Sequence, residues 1–257
     1  MEAYHLVEHN AYLRYHDLPG SDPVFVFLHG LGSASSSCFP RVVHEPRLRD
    51  YRSLLVDFLG YGFSDRPAGF SYTMEAQTEL VARFLRSLRL KRTIVVGHSM
   101  GGAIAVLLAA KHPALVSHLI SAEGSLDPGP GFVSGPISSM TEEEFASFGH
   151  PEFVRKILLA GSPDYAGTVR AADPVALHRS AVSLIAERRP TYRELLYRMN
   201  IPRAFLFGEQ SLPDPDVERL RVEGVDVRII ANAGHNMMAD HPQGFADAVA
   251  DAVEQAR

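Results

Sequence analysis

The segment with the clearest chemical potential is Gly97-His98-Ser99-Met100-Gly101, a serine set between two glycines. A β-branched run, Thr93-Ile94-Val95-Val96, precedes it and reads as a buried strand. An apolar run rich in Ala and Leu, Ala103 to Ala110, follows and reads as a buried helix. A Gly-x-Ser-x-Gly pattern at such a strand-to-helix turn is a nucleophile elbow, with the serine Oγ exposed above the sheet on a strained bend. The helix that starts beyond Ser99 offers free N–H groups and a positive dipole end, which favour an oxyanion. A hydroxyl is a poor nucleophile at neutral pH, so Ser99 needs a base and a group to orient that base. The spacing therefore points to nucleophilic catalysis by Ser99.

Positioning these groups takes a large α/β domain, and 257 residues with 46% hydrophobic and 21% charged content are ample for one. The net charge of −5, without basic runs interleaved with aromatics, argues against a nucleic-acid partner. One cysteine, Cys38, excludes an intrachain disulfide and suits a reducing, cytoplasmic setting. The first residues lack a signal-peptide pattern, and no apolar stretch is long enough to span a membrane. Metal-ligand and dinucleotide motifs are absent, so no metal and no cofactor is expected. His5 and His9 are four apart, but on a strand they share no face and read as solvated edge residues.

The remaining elements alternate. Tyr4 to Glu8 and Tyr12 to His16 read as a hairpin around Asn10. Val24 to Leu28 is a short apolar strand ending in His29-Gly30-Leu31-Gly32, where a Gly-rich turn turns backbone N–H groups toward a ligand. Ser53 to Asp57 is the next strand, and Met74 to Leu88 carries helical spacing. Val116 to Ala122 leads to Glu123-Gly124. Residues 126–200 break the alternation with Pro and Gly followed by helical signals, including a capped start at Thr141. Ile201 to Glu209 and Val225 to Ile230 return to strands, and Gln243 to Ala256 closes the chain as an amphipathic helix.

His-Gly after a central strand, followed by the Gly-x-Ser-x-Gly elbow, resembles the α/β-hydrolase superfamily. The segment Asp57…Gly60-Tyr61-Gly62-Phe63-Ser64…Pro67 resembles that superfamily's D-x-x-G-x-G-x-S-x-x-P turn, in which Asp57 holds the turn. Ala233-Gly234-His235…Pro242 resembles its histidine segment, which makes His235 the general base. The resemblance implies a mostly parallel eight-stranded sheet flanked by helices, with a helical cap inserted after the strand ending at Glu123. It also implies an oxyanion hole from the backbone N–H groups of Leu31 and Met100. His29 reads as structural. Serine rather than aspartate at the elbow separates the chain from the superfamily's haloalkane dehalogenases and epoxide hydrolases. The resemblance covers the two core segments, 1–124 and 201–257; the cap, 125–200, rests on position alone, and Phe153 and Leu158 are candidate lining residues.

The triad acid departs from the superfamily pattern. Gly208-Glu209-Gln210-Ser211 places Ser211 where an aspartate is usual, and a serine cannot hold an imidazolium by charge. Glu123, Glu209, Asp214 and Asp216 are the replacements. Glu123 is the choice, because it ends the strand beside the usual one and strand ends of a parallel sheet face one crevice. Pancreatic-type lipases and zearalenone-type lactonases resemble this placement.

The expected function is hydrolysis of a small carboxylic ester or lactone through an acyl-enzyme on Ser99. A thioesterase or carbon–carbon bond hydrolase would use the same triad. A non-catalytic small-molecule-binding protein of this fold is the alternative of another class, because a decayed triad would also lack the usual aspartate.

Overall fold

The computed structural model describes residues 1–255; Ala256, at the end of the expected closing helix, lies outside them. The strands are β1 Glu2–Leu6, β2 Ala11–Leu18, β3 Ser21–Leu28, β4 Tyr51–Asp57, β5 Thr93–His98, β6 Val116–Ala122, β7 Arg203–Gly208 and β8 Asp226–Ile230. They form one eight-stranded sheet in the order β1-β2-β4-β3-β5-β6-β7-β8. β2 runs antiparallel to both β1 and β4, and the pairs from β4 through β8 are parallel. The first hairpin strand is shorter than its sequence suggests. It ends at Leu6, and a tight turn over Val7–His9 reaches Asn10 at φ +45°.

Strand sequences account for the layering. Val26 and Leu28 pack on one face of the sheet, and Phe25 and Phe27 on the other, as period-two side-chain alternation requires. Both sets are buried, so β3 is continuously apolar rather than alternating in polarity. On the first face lie α1, Met74–Ser87, and α2, Met100–Lys111. Thr73 caps α1 by accepting the Ala76 N–H at 3.2 Å. Leu80, Val81, Phe84 and Leu85 form its buried stripe. α2 is buried from Met100 to Ala109, which explains its lack of a polar face.

Between β6 and β7 the chain is helical: α3 Ser134–Ser138, a turn at Glu142–Glu144, α4 His150–Leu159, α5 Pro163–Ala171, α6 Pro174–Ile185 and α7 Tyr192–Tyr197. Thr141 makes the capping box with Glu144 that its spacing announces, and Thr191 makes a second with Glu194. Phe145, Val154, Val169 and Leu177 of this segment join the same apolar cluster as α1 and α2. After β7 come α8, Asp216–Val222, and finally α9, Pro242–Glu254, whose Phe245, Ala246 and Val249 cover the second face. Among the described residues no helix is long and apolar enough to cross a membrane.

Candidate active site

Ser99 sits between β5 and α2 at φ +52°, ψ −115°, a conformation L-residues rarely adopt. The flanking glycines make the bend possible. A Cβ at Gly97 would lie 2.3 Å from the Gly101 carbonyl oxygen, and one at Gly101 would lie 2.2 Å from that of Leu28. The elbow therefore packs backbone on backbone at both glycines, and no side chain fits at either. Met100 holds the first helical position, where its N–H has no carbonyl partner within the helix.

The turn after β3 presses against this elbow. A Cβ on Gly30 would stand 2.9 Å from His98 Nδ1 and 3.3 Å from the Ser99 Cβ. The Ser33 N–H donates to the Gly30 carbonyl at 3.1 Å, closing a four-residue turn with Leu31 and Gly32 at its centre. His29 is fully buried: its Nδ1–H donates to the Gly30 carbonyl at 2.8 Å, and its Nε2 accepts the Phe58 N–H at 3.1 Å. Asp57 gathers the next turn, accepting from Ser36 N–H at 2.9 Å, Ser36 Oγ at 2.7 Å and Phe63 N–H at 3.0 Å.

His235 follows β8 in an exposed loop. Its Nδ1–H donates to Glu123 Oε2 at 2.7 Å, which leaves Nε2 with its lone pair. The imidazole is 45% exposed and the Glu123 side chain 12%. Glu123 lies one residue past β6, at φ +43°, yet its N–H still extends the ladder to the Leu206 carbonyl at 3.0 Å. Burial pushes its carboxyl up. The hydrogen bonds from His235, from the Gly208 N–H (2.8 Å to Oε1) and from Ser211 outweigh burial and bring it below its usual range. Ser211, standing where the superfamily's aspartate is expected, thus supports the glutamate that reaches across from the next strand. β6 and β7 are parallel neighbours in register Ala122 to Leu206, which makes that reach short.

The other three carboxylates are engaged elsewhere. Glu209 accepts the Asn232 N–H at 2.8 Å, and Asp214 accepts the Asp216 N–H at 2.8 Å. Asp216 pairs with Arg193 at 2.7 Å, and Arg193 also holds Asp127 at 2.6 Å. His5 and His9 meet rings, Tyr12 and Phe70 respectively, and among the described residues no His, Cys, Asp or Glu cluster is placed to hold a metal.

Ser99, His235, Glu123, Gly30 and Leu31 line one cavity of about 790 Å³. Its opposite wall comes from the helical segment, with Met140, Phe145, Phe153, Ile157, Tyr165 and Leu184. Of the two lining residues read from the sequence, Phe153 faces the cavity. Leu158 does not: it is 43% exposed, turned about 100° around α4 from Ile157, which does.

Two residues of this region had no role in the sequence reading. His98 lies inside the elbow, with its Nε2–H donating to the His235 carbonyl at 2.9 Å and its ring 4.6 Å from the His235 ring. Its Nδ1 is buried without a partner. The elbow motif leaves that position unspecified, so no sequence signal marked it. Tyr165 donates its hydroxyl to the Leu31 carbonyl at 2.9 Å, a contact across more than half the chain.

The buried histidines make stability depend on pH. Burial, reinforced by the adjoining His235, lowers His98 to about 3, and burial lowers His29 as well. Below about 6.5 the unfolded chain binds protons at both rings while the native state does not. Stability is therefore present in full above that value and falls as pH drops through the window down to about 3. Urea unfolding at pH 5 against pH 7 is expected to show about 2 kcal/mol lost from His98 alone. His98→Gln should flatten the slope; an unchanged slope would assign the loss to other groups.

Comparison with known proteins places the geometry in a family. The alpha/beta hydrolase fold family matches over residues 23–218. A mouse sn-1-specific diacylglycerol lipase is 26% identical over 254 residues, 88% of this chain and 80% of that one. Mycobacterial proteins at 32% identity align over 43% of this chain, which spans about a third (32%) of their length. Among solved structures, an esterase from Exiguobacterium antarcticum superposes with a TM-score of 0.79 at 20% identity, covering 98% of both chains. The enol-lactonase from Burkholderia xenovorans LB400 superposes at 0.78 and 21%, covering 95% of this chain and 97% of that one. With a strained serine elbow, a glycine turn pressed against it and a mostly parallel eight-stranded sheet beneath, the chain belongs to the α/β hydrolase fold family.

Proposed function

We propose that this protein is a serine hydrolase of small carboxylic esters or lactones, acting through an acyl-enzyme and without a cofactor. The observation that carries the reading is the hydrogen bond from His235 Nδ1–H to Glu123, which leaves Nε2 free to take a proton on a residue that lines the same cavity as Ser99. Ser99 Oγ attacks the acyl carbonyl while His235 Nε2 takes its proton. Glu123 keeps its charge and stabilises the imidazolium. The backbone N–H groups of Leu31 and Met100 hold the tetrahedral oxyanion, each donor worth about 2.7–4 kcal/mol. Collapse expels the alcohol, which takes the proton from His235; a lactone stays tethered as a hydroxyacyl chain. Water, deprotonated by the same imidazole, then releases the acid.

Residues 125–200 act as the cap over core segments 1–124 and 201–257. The cap's apolar side chains favour an acyl chain over a charged group. The names of the lipase, esterase and lactonase relatives agree with ester chemistry. The intact Glu123–His235 pair supports catalysis over a binding-only role, since a decayed triad was the argument for the latter. A fluorophosphonate probe is expected to label Ser99, and p-nitrophenyl esters or lactones should turn over faster than acyl-CoA thioesters. Absence of both labelling and turnover would leave the fold as a small-molecule receptor.

A further inference from the structure

The turn Gly30–Ser33 carries the Leu31 N–H that the proposed mechanism uses. Its closing bond from Ser33 N–H to the Gly30 carbonyl, with Gly32 at φ +74°, is the pattern of a type II turn. In such a turn the Leu31 carbonyl belongs to the central peptide, directly after the N–H of the same residue. The core alone does not hold that carbonyl. The hydroxyl of Tyr165, on α5, donates to it at 2.9 Å. The same helix seats on the turn: a Cβ at Gly32 would lie 2.8 Å from Val169 Cγ2 and 3.1 Å from the Tyr165 hydroxyl. Burial raises the Tyr165 phenol far above its usual value, so it remains a donor across the working pH range.

We propose that Tyr165 is a positioning residue, a cap hydroxyl that anchors the Gly30–Ser33 turn by the Leu31 carbonyl and so fixes in place the residue whose N–H the mechanism uses. The role rests on the serine-hydrolase reading above and deepens it. The cap then contributes to rate as well as to substrate choice, because lifting α5 from the core both opens the cavity and frees the turn. A residue that merely lines the cavity would affect substrates according to their bulk. A residue that holds the oxyanion turn affects every substrate, since each generates the same oxyanion.

Tyr165→Phe keeps the ring and removes the donor. The expected result is a kcat lowered about 10- to 100-fold, a fraction of what full loss of an oxyanion donor costs. The loss should be alike for p-nitrophenyl acetate and the octanoate, with KM within about twofold. Affinity for an alkyl boronic acid, which adds to the serine as a tetrahedral adduct, should fall in parallel with kcat/KM. Exchange of the Ser33 amide with deuterium should quicken in the variant. A kcat within twofold of the parent, or a loss confined to the octanoate, would overturn the role. If the parent neither labels nor hydrolyses, the hydrolase reading fails by itself. The exchange measurement still decides whether Tyr165 holds the turn: faster exchange at Ser33 supports it, and equal exchange overturns it.

Discussion

Ser99→Ala is expected to lower kcat about a million-fold, the scale seen when a serine nucleophile that acts as a unit with its base is removed. The fold should survive, because the elbow serine makes no side-chain capping bond and its hydroxyl contributes little packing. Alanine retains a Cβ and so retains the strain of the φ +52° bend. Ser99→Gly relieves it, and should be as inactive as the alanine variant yet more stable by about 1–3 kcal/mol. Thermal melts beside turnover of a p-nitrophenyl ester separate the two effects. More than a small fraction of parental turnover in either variant would remove the covalent mechanism. Equal melting temperatures for alanine and glycine would remove the strain.

Glu123→Gln carries the second-largest effect, a fall in kcat of about ten-thousand-fold with the fold intact. The geometry gives the reason. Glu123 Oε1 accepts the Gly208 N–H, so a glutamine would keep its carbonyl oxygen there and turn its NH₂ toward His235 Nδ1. Nδ1 would then accept rather than donate, the proton would move to Nε2, and the imidazole could not take the Ser99 proton. Ser211→Ala, which leaves the hydrogen bonds of Glu123 to His235 and the Gly208 N–H in place, should cost far less. Ordinary turnover in Glu123→Gln together with collapse in Asp214→Asn would return the acid to the strand where the superfamily usually keeps it.

The parts of this protein legible in its sequence are those set by backbone sterics and by short-range periodicity. Gly97 and Gly101 around Ser99 announce a bend that only glycine neighbours permit, and the bend is there. The apolar run of β3 announces a strand covered on both faces, and both faces are covered. Thr141 and Glu144 announce a helix start because the capping box is closed within four residues.

What only the tertiary structure decided depends on where separate elements meet. Four carboxylates follow strands or open helices, and nothing local separates Glu123 from Glu209, Asp214 or Asp216. The register of β6 on β7 does, together with the Arg193 pairing and the Asn232 N–H that occupy Asp216 and Glu209. Ser211 reads as a missing acid in sequence, and in space it lies close enough to Glu123 to help lower its carboxyl. Leu158 and Ile157 are adjacent and equally apolar, and the rotation of α4 against the core turns one outward and the other into the cavity. Tyr165 is one aromatic among several in the helical segment between β6 and β7, distinguished only by the carbonyl its hydroxyl finds on Leu31. Local rules act over a few residues, whereas a hydrogen bond between distant residues exists only once packing has brought donor and acceptor together.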